Sequence, residues 1–202
     1  MLLVIDTSTA ACTTALFDEG GACLARRSDI IGRGHAERLM PMVEELLAGR
    51  RAKRILVGVG PGSFTGIRVG LAAAQGLAIG WDAEVAGMSS LGLLAAGAGT
   101  NGAVTAAMLG GHGELFLQTF DGATLEPHSD VLNLTPAAAA ECSRADIVIG
   151  PGAKILVDVR GWGTAIDGWP AADNAARLPR ALRTLPARPV YGRAPDAKAQ
   201  AA

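Results

Sequence analysis

Nine residues of this chain, GVGPGSFTG at 58–66, have the composition of a loop that could bind an anion. Four of them are glycines, and the stretch lies between an apolar run and a long segment of small residues. Glycine lets a backbone bend closely around a ligand, and backbone amides at the start of a helix attract phosphate. The stretch predicts a turn from a strand into a helix. Either its amides hold an anion, or its glycines only permit a tight turn and close helix packing.

The loop matches none of the known active-site motifs. A P-loop has Lys directly after its last glycine, where this chain has Ile67. The third glycine of a dinucleotide-binding fingerprint would fall on Thr65. A nucleophile elbow around Ser63 would need glycines in place of Pro61 and Thr65, and the sequence offers no obvious histidine base. We therefore predict that the loop carries no catalytic residue.

A second stretch, DTST at 6–9, directly follows the apolar run MLLVI and could contribute a carboxylate to a nucleotide site. Asp6 at the end of a buried strand could hold a metal-bound water, and Ser8 and Thr9 could contact phosphate. The alternative is that Asp6 and Thr7 terminate the strand and bond to nearby backbone amides. Both interpretations stay open from the sequence.

Metal binding is not expected. The three histidines, His35, His112 and His128, lie far apart, and no HxxxH pair is present. A metal site needs about three convergent ligands, and this sequence assembles none. The three cysteines are scattered without a CxxC pair, which is typical of reduced thiols in a cytosolic protein.

Charge and hydropathy narrow the class of protein. Eighteen basic and 19 acidic residues give no electrostatic footprint for tight RNA binding by this chain alone. Asp6 interrupts the N-terminal apolar run, so we predict no export signal. Residues 85–113 contain no Asp, Glu, Lys or Arg, but GAGTNG at 97–102 breaks the apolar pattern that a membrane span requires. We expect a cytoplasmic protein without a membrane span.

The elements that must position these stretches follow a recognisable order. Three strands are followed by a helix, a strand, the helix after the glycine loop, the strand AEVAGM and a short helix capped by Ser89 or Ser90. After 97–102 the pattern restarts with three strands, the helix PAAAAECS, the strand ADIVIG and a helical pattern in NAARLPRALRTL. Two βββαβαβα-type halves are typical of the two-lobed α/β ribonuclease-H-like fold of actin, Hsp70 and sugar kinases. We predict lobes at 1–100 and 101–202, with the C-terminal segment returning to the first lobe.

Two helices of the first lobe have more apolar surface than one contact requires. In HAERLMPMVEELL the predicted stripe is Ala36, Leu39, Met40, Val43, Leu46 and Leu47, and Met42 lies off it. The helix from about Thr65 to Trp81 has no polar face, so it must bury two sides. These patterns predict a protein–protein interface built from both helices.

Several stretches of the sequence resemble those of one bacterial protein family. LLVIDTSTAACTTALFDEG, HAERLMPMVEELL, ILVGVGPGSFTGIRVGLAAAQGLA and GMSSLGLLA, in this order, closely resemble the bacterial TsaB family, also called YeaZ. PVYGRAPDAK near the end of the sequence resembles that family's usual C-terminal segment. The resemblance is strong over residues 1–96 and 189–198 and weak over 103–185.

The resemblance implies a non-catalytic subunit of the complex that makes threonylcarbamoyladenosine in tRNA. It implies a heterodimer with a TsaD-like paralogue that carries the metal site and the transferase activity. It also implies contact with a TsaE-like ATPase, tRNA binding only through the complex, and a homodimer when the chain is alone. No cofactor is expected, beyond at most weak ATP or ADP binding in the complex.

The resemblance also implies roles for particular residues. Asp6, Ser8, Gly60, Gly62 and Ser63 would form a vestigial nucleotide cleft with no catalytic or metal-binding residue. The two helices would form the pairing surface, and the substitutions Leu71→Glu and Ala74→Arg are expected to disrupt assembly without unfolding the chain. The candidate interface residues are His35, Leu39, Met42, Val43, Leu46, Ile67, Arg68, Leu71, Ala74, Gln75 and Ala78.

One segment departs from the family. Many relatives have an Asp-Ala-Arg-like sequence where this chain has MLGGHGE at 108–114, so functions that depend on that acid and base are not expected here. The alternative function, from a different class, is an autonomous actin-like ATPase or phosphotransferase that uses Asp6 and the loop at 60–66.

Overall fold

The first half of the chain forms a five-stranded mixed sheet. The computed structural model describes residues 1–190. The sheet has the order β3-β2-β1-β4-β5, antiparallel across β3-β2-β1 and parallel across β1-β4-β5. The predicted βββαβαβα order of this half is confirmed. Its elements are β1 (Leu2–Asp6), β2 (Ala11–Phe17), β3 (Cys23–Ile30), α1 (His35–Leu47), β4 (Arg54–Gly58), α2 (Phe64–Trp81), β5 (Glu84–Met88) and α3 (Ser90–Ala96).

The second half forms a sheet of the same topology. Its order is β10-β9-β6-β7-β8, so each sheet has the order 3-2-1-4-5 when its own strands are numbered along the chain. This shared topology confirms the two-lobed ribonuclease-H-like fold class. The exact domain boundary near residue 100 stays a prediction. The elements are β6 (Ala103–Leu109), β7 (Leu115–Asp121), β8 (Leu132–Leu134), α4 (Pro136–Cys142), β9 (Ile147–Ile149), α5 (Ala153–Arg160) and β10 (Thr164–Ile166).

Three details of the second half differ from the sequence prediction. The predicted helix at 174–185 is wrong, because Leu178 and Pro179 are extended and separate two short 3₁₀ turns. The strand expected across 123–133 is confined to β8 at its end. Helix α5, which begins directly after the GPG turn at 150–152, was not predicted.

The segment after these turns runs back along the first lobe. Gly87 and Leu185 exchange two backbone hydrogen bonds, of 2.7 and 3.0 Å. The amide of Val190 donates to the carbonyl of Val59 at 2.8 Å. The expected C-terminal return beyond residue 190, including most of PVYGRAPDAK, lies outside the described residues.

Two apolar layers hold the first sheet. On one face, Leu3 and Ile5 pack with Leu39 of α1 and Ile67 of α2. The other face is part of a core that continues into the second lobe through α3. The members of that core include Val4, Phe17, Leu91, Leu94, Val104, Phe120 and Ile149. The two lobes therefore share one continuous apolar core.

The buried face of α1 differs in phase from the predicted stripe. The helix begins at His35, runs through Pro41 without interruption, and exposes Ala36 and Met40. Met42 is fully buried, so the interpretation of Met42 as part of a second contact surface is wrong. The phase was misjudged because Met40 is as apolar as Met42. The buried residues are His35, Leu39, Met42, Val43, Leu46 and Leu47.

Helix α2 packs closely on the turn that follows β1. A Cβ at Gly66 would overlap the carbonyl oxygen of Thr7, and a Cβ at Gly70 would be too close to the Thr7 hydroxyl. The Thr7 hydroxyl donates to the Gly66 carbonyl at 2.7 Å. Gly76, on the exposed face, has open space around it. Across residues 1–190 no helix combines the length and apolarity needed to cross a bilayer.

Two glycine substitutions in α2 test this packing. Gly76→Ala should raise the free energy of unfolding by about 1 kcal/mol, because alanine costs less backbone entropy in a helix. Gly66→Ala should lower it by about 1–3 kcal/mol, because the added methyl group overlaps the Thr7 carbonyl. Urea denaturation of both variants measures the difference. Equal free energies of unfolding for the two variants would contradict the close contact between Gly66 and the Thr7 carbonyl.

Candidate functional site

The carboxylate of Asp6 lies at the end of β1 and is completely buried. Its Oδ1 accepts two hydrogen bonds from Ser8, one from the backbone N–H at 2.9 Å and one from the hydroxyl at 2.7 Å. Its Oδ2 accepts a hydrogen bond from the hydroxyl of Ser90 at 2.6 Å. Gly58 lies so close that a Cβ there would overlap Oδ2. Protein groups therefore surround both oxygens of this carboxylate.

Ser90 is the residue of this site that the sequence did not identify. Ser89, not Ser90, is the N-cap of α3, and its hydroxyl accepts the N–H of Gly92 at 3.0 Å. This leaves the hydroxyl of Ser90 available to donate to Asp6. The one signal was the presence of two consecutive serines where a helix cap needs only one.

The glycine loop joins the same network. The amide of Ser63 donates to the carbonyl of Ser8 at 2.7 Å, and the amide of Ser90 donates to the carbonyl of Gly60 at 3.2 Å. Ser63 is also the N-cap of α2, where its hydroxyl accepts the N–H of Gly66 at 3.2 Å. Gly62 has a φ of 151°, and a Cβ there would overlap the Ser8 carbonyl. The structure thus brings all five predicted cleft residues together.

Burial raises the pKa of Asp6, while hydrogen bonds from Ser90 and Ser8, and the charge of His35 to a smaller extent, oppose that rise. The net direction is upward, because removal of the carboxylate from water outweighs the donated hydrogen bonds. A folded carboxyl group with a raised pKa binds its proton more tightly than the unfolded one does. Its contribution to stability is therefore largest at acidic pH and declines as the pH rises through the folded pKa.

The cleft between the lobes does not fit a metal-bound nucleotide held by Asp6. It has a volume of about 410 Å³ and is lined by Ser8, Thr9 and Ser63 on one side, but not by Asp6. The other lining is largely apolar, and within residues 1–190 no Lys or Arg side chain contributes to it. A nucleoside triphosphate would need cationic side chains or a metal ion as partners for its phosphates. The apolar lining residues are Phe64, Met108, Leu109, Phe116, Pro151 and Trp169.

The divergent segment at 108–114 lies at this cleft. Leu109 ends β6, and a short 3₁₀ turn at Gly111–Gly113 follows it. Glu114 accepts a hydrogen bond from the side-chain amide of Asn133 at 2.6 Å. The segment therefore contributes apolar and backbone atoms to the cleft wall.

Most of the predicted interface residues are not on the surface. Arg68 and Gln75 are exposed and Ala78 is half-buried. The others pack inside the first lobe, because they form the inward faces of α1 and α2, so their assignment as direct partner contacts needs correction. These eight are His35, Leu39, Met42, Val43, Leu46, Ile67, Leu71 and Ala74. The helices themselves remain candidates through other residues.

The outer surface of the two helices contains an apolar groove of about 510 Å³. The residues that line this groove belong to α1, to the loop that follows α1 and to the last turn of α2. Ile79 of α2 does not line this groove; it is 86% exposed and lies on another face of the helix with Arg68, Ala72, Gln75 and Gly76. The groove lining includes exposed Met40, Pro41, Glu44 and Arg50, half-buried Leu77 and Trp81, and the largely buried Val43 and Leu47.

Comparison with known proteins agrees with this architecture. A family model described as "TsaD: tRNA N6-adenosine threonylcarbamoyltransferase" matches residues 29–142, more than half of the chain. The structure of YeaZ from Pseudomonas aeruginosa is similar, with a TM-score of 0.77 and 32% identity over 88% of this chain and 89% of that chain.

Curated sequences named TsaB are also similar to this chain, over a shorter region. The Escherichia coli protein named "tRNA threonylcarbamoyladenosine biosynthesis protein TsaB" is 38% identical over 102 residues, which cover 48% of this chain and 43% of that protein. The protein of the same name from Haemophilus influenzae is 42% identical over 95 residues, 45% of this chain and 39% of that protein. The matched region thus spans less than half the length of these relatives.

The fold and the cleft define a two-lobed protein of the ribonuclease-H-like class, with a carboxylate buried inside the first lobe. The identity and coverage of the solved structure are sufficient to assign the family. The chain belongs to the TsaB family, also called YeaZ.

Substitutions at Asp6 test whether this carboxylate has a structural role. Asp6→Ala should lower the free energy of unfolding by about 2–4 kcal/mol, because buried donors on Ser8 and Ser90 lose their acceptor. Asp6→Asn keeps an acceptor and should cost about 1 kcal/mol near neutral pH. Because the folded pKa is raised, the stability of the wild type relative to Asp6→Asn should fall as the pH rises from acidic values.

Urea denaturation of the wild type and both variants across a pH series measures these effects. The variant Asp130→Asn makes the same substitution at an exposed aspartate in the other lobe and is the control. A wild type that gains stability over Asp6→Asn as the pH rises would contradict the raised pKa.

Proposed function

We propose that this chain is a non-catalytic subunit of the bacterial complex that synthesises threonylcarbamoyladenosine in tRNA. The observation that carries the proposal is the apolar outer surface of α1 and α2. The enclosed Asp6 supports the non-catalytic part, because both of its oxygens already accept hydrogen bonds from the protein. The names of the curated TsaB relatives support the pathway.

The proposed main partner is a TsaD-like paralogue, which would hold the metal and transfer the threonylcarbamoyl group. The chain would scaffold and activate that transferase, contact a TsaE-like ATPase, and meet tRNA only within the complex. In isolation it would form a homodimer through the same surface. A net charge near zero gives this chain little attraction for the tRNA backbone, which is consistent with tRNA contact only through the complex. We propose that the complex is cytoplasmic.

The surface has the composition of a protein interface. Exposed Ile79 and Met40 and half-buried Trp81 provide the apolar contacts that drive association in such interfaces. Gly76 and Ala72 on the outward face of α2 would let a partner helix approach closely. Glu44 and Arg50 at the groove would contribute to a polar rim. A binding role explains why these apolar side chains face outward on the lobe.

An autonomous ATPase or phosphotransferase is the weaker alternative. It would require Asp6 to hold a metal-bound water, although this side chain neither lines the cleft nor has a free oxygen. No feature of the described residues favours this function over the binding role.

The complex can be tested by reconstitution. Light scattering would measure the mass of the chain alone and mixed with its TsaD-like paralogue, and a tRNA threonylcarbamoylation assay would follow. The proposal predicts a heterodimer and an activity that the paralogue lacks without this chain. Absence of association, or full activity of the paralogue without this chain, would contradict it.

Substitution of an exposed residue tests the surface. Ile79→Glu should leave folding intact and weaken the complex by about 30-fold or more, as expected for an interface hot spot. Ile155→Glu is the matched control, because Ile155 is a 40% exposed isoleucine on α5 of the other lobe. In contrast, Leu71→Glu and Ala74→Arg should unfold the chain, because both residues are buried. Circular dichroism and light scattering separate these outcomes, and equal affinities for Ile79→Glu and Ile155→Glu would exclude α2 as the interface.

A further inference from the structure

A further groove of the first lobe lies at the opposite ends of the strands from the cleft. It has a volume of about 670 Å³ and is bounded by the sheet and by the 3₁₀ turn at Arg180–Leu182. Its floor includes Leu2, Leu56 and Ala86, which lie in neighbouring strands on one face of the sheet. A groove of this size with an aliphatic floor can hold several atoms of an apolar ligand or side chain.

Three arginines, Arg54, Arg180 and Arg183, line this groove. Arg180 and Arg183 are one 3₁₀ turn apart, which places them on the same side of that turn, and Arg54 is the first residue of β4. Within residues 1–190 their guanidinium groups make no hydrogen bond or ion pair. Glu84 is the one carboxylate among the described lining residues. The groove therefore has an excess of positive charge available to a ligand.

Among residues 1–190, no backbone bond pairs with the outer edge of β5 at Val85, which borders this groove. Glu84 donates its amide to Lys53 at 3.0 Å, so its backbone faces β4. Gly87 has the opposite orientation, because both its N–H and its C=O bond to Leu185 on the outer side of β5. Backbone groups alternate in direction along a strand, so the N–H and C=O of Val85 also face outward. Val85 lines the groove, where an extended chain could pair with it.

We propose that this groove binds an extended, acidic polypeptide segment of a partner protein. Carboxylates of the segment pair with Arg54, Arg180 and Arg183, an aliphatic side chain occupies the floor, and its backbone pairs with Val85. Such strand addition is a common mode of peptide recognition. A single-stranded RNA fits less well, because bases bind by stacking on aromatic side chains and the described lining has none.

Nuclear magnetic resonance of the full chain with the blocked peptide EDLVDE tests the proposal directly. Titration should shift the amide signals of Val85 and of residues 180–184, and should slow hydrogen exchange at the Val85 amide. Arg180→Gln combined with Arg183→Gln should weaken the peptide by about tenfold or more, because charge-assisted hydrogen bonds are lost. Arg54→Gln, in β4, is a second variant and should also weaken peptide binding. Arg33→Gln combined with Arg144→Gln, which removes the same charge from exposed sites elsewhere, is the control and should bind normally.

Other outcomes overturn the proposal. These are no shift at Val85, shifts confined to the groove between α1 and α2, or equal peptide affinities for the groove variants and the control. An eight-nucleotide single-stranded RNA provides the competing test. If the RNA shifts these signals and the double groove variant reduces the slope of log affinity against log salt by about 1.4, the groove binds phosphates instead.

Discussion

The structure of the first lobe depends on one buried carboxylate. A carboxylate removed from water destabilises a fold by several kcal/mol unless hydrogen-bond donors surround it. Ser8 supplies two donors from the turn after β1, and Ser90 supplies one from the start of α3. Asp6 thereby joins the central strand to the helix whose apolar side chains continue into the second lobe.

This constraint explains the glycine loop. Gly58 leaves room for the Asp6 carboxylate, Gly62 for the Ser8 carbonyl and Gly66 for the Thr7 carbonyl. The spacing that suggests phosphate binding is therefore also the spacing that close packing around Asp6 requires. A consequence is that α2 begins in a fixed position and direction, with Ile79 and Gly76 facing outward. The rigid interior thus positions the surface on which the proposed function depends.

Local patterns predicted much of this arrangement. The succession of strands and helices along the first half, Asp6 at the end of β1 and the turn at 58–66 all follow from contiguous residues, so the sequence was sufficient for them. The contact of Ser90 with Asp6 joins residues 84 positions apart, and no local pattern specifies it. The inward position of Leu71 and Ala74 was missed because α2 is apolar nearly all round, which hides the direction of its buried face. At 174–185 helical periodicity competed with Pro179, and the proline determined the backbone.

The central claim is that Asp6 stabilises the fold and that the chain acts through its surface rather than through turnover. Release of phosphate from ATP by the purified chain, with and without Mg²⁺, measures this most directly. The account predicts no release above background in either condition. Mg²⁺-dependent release that disappears in folded Asp6→Asn would contradict it and would identify Asp6 as a catalytic residue.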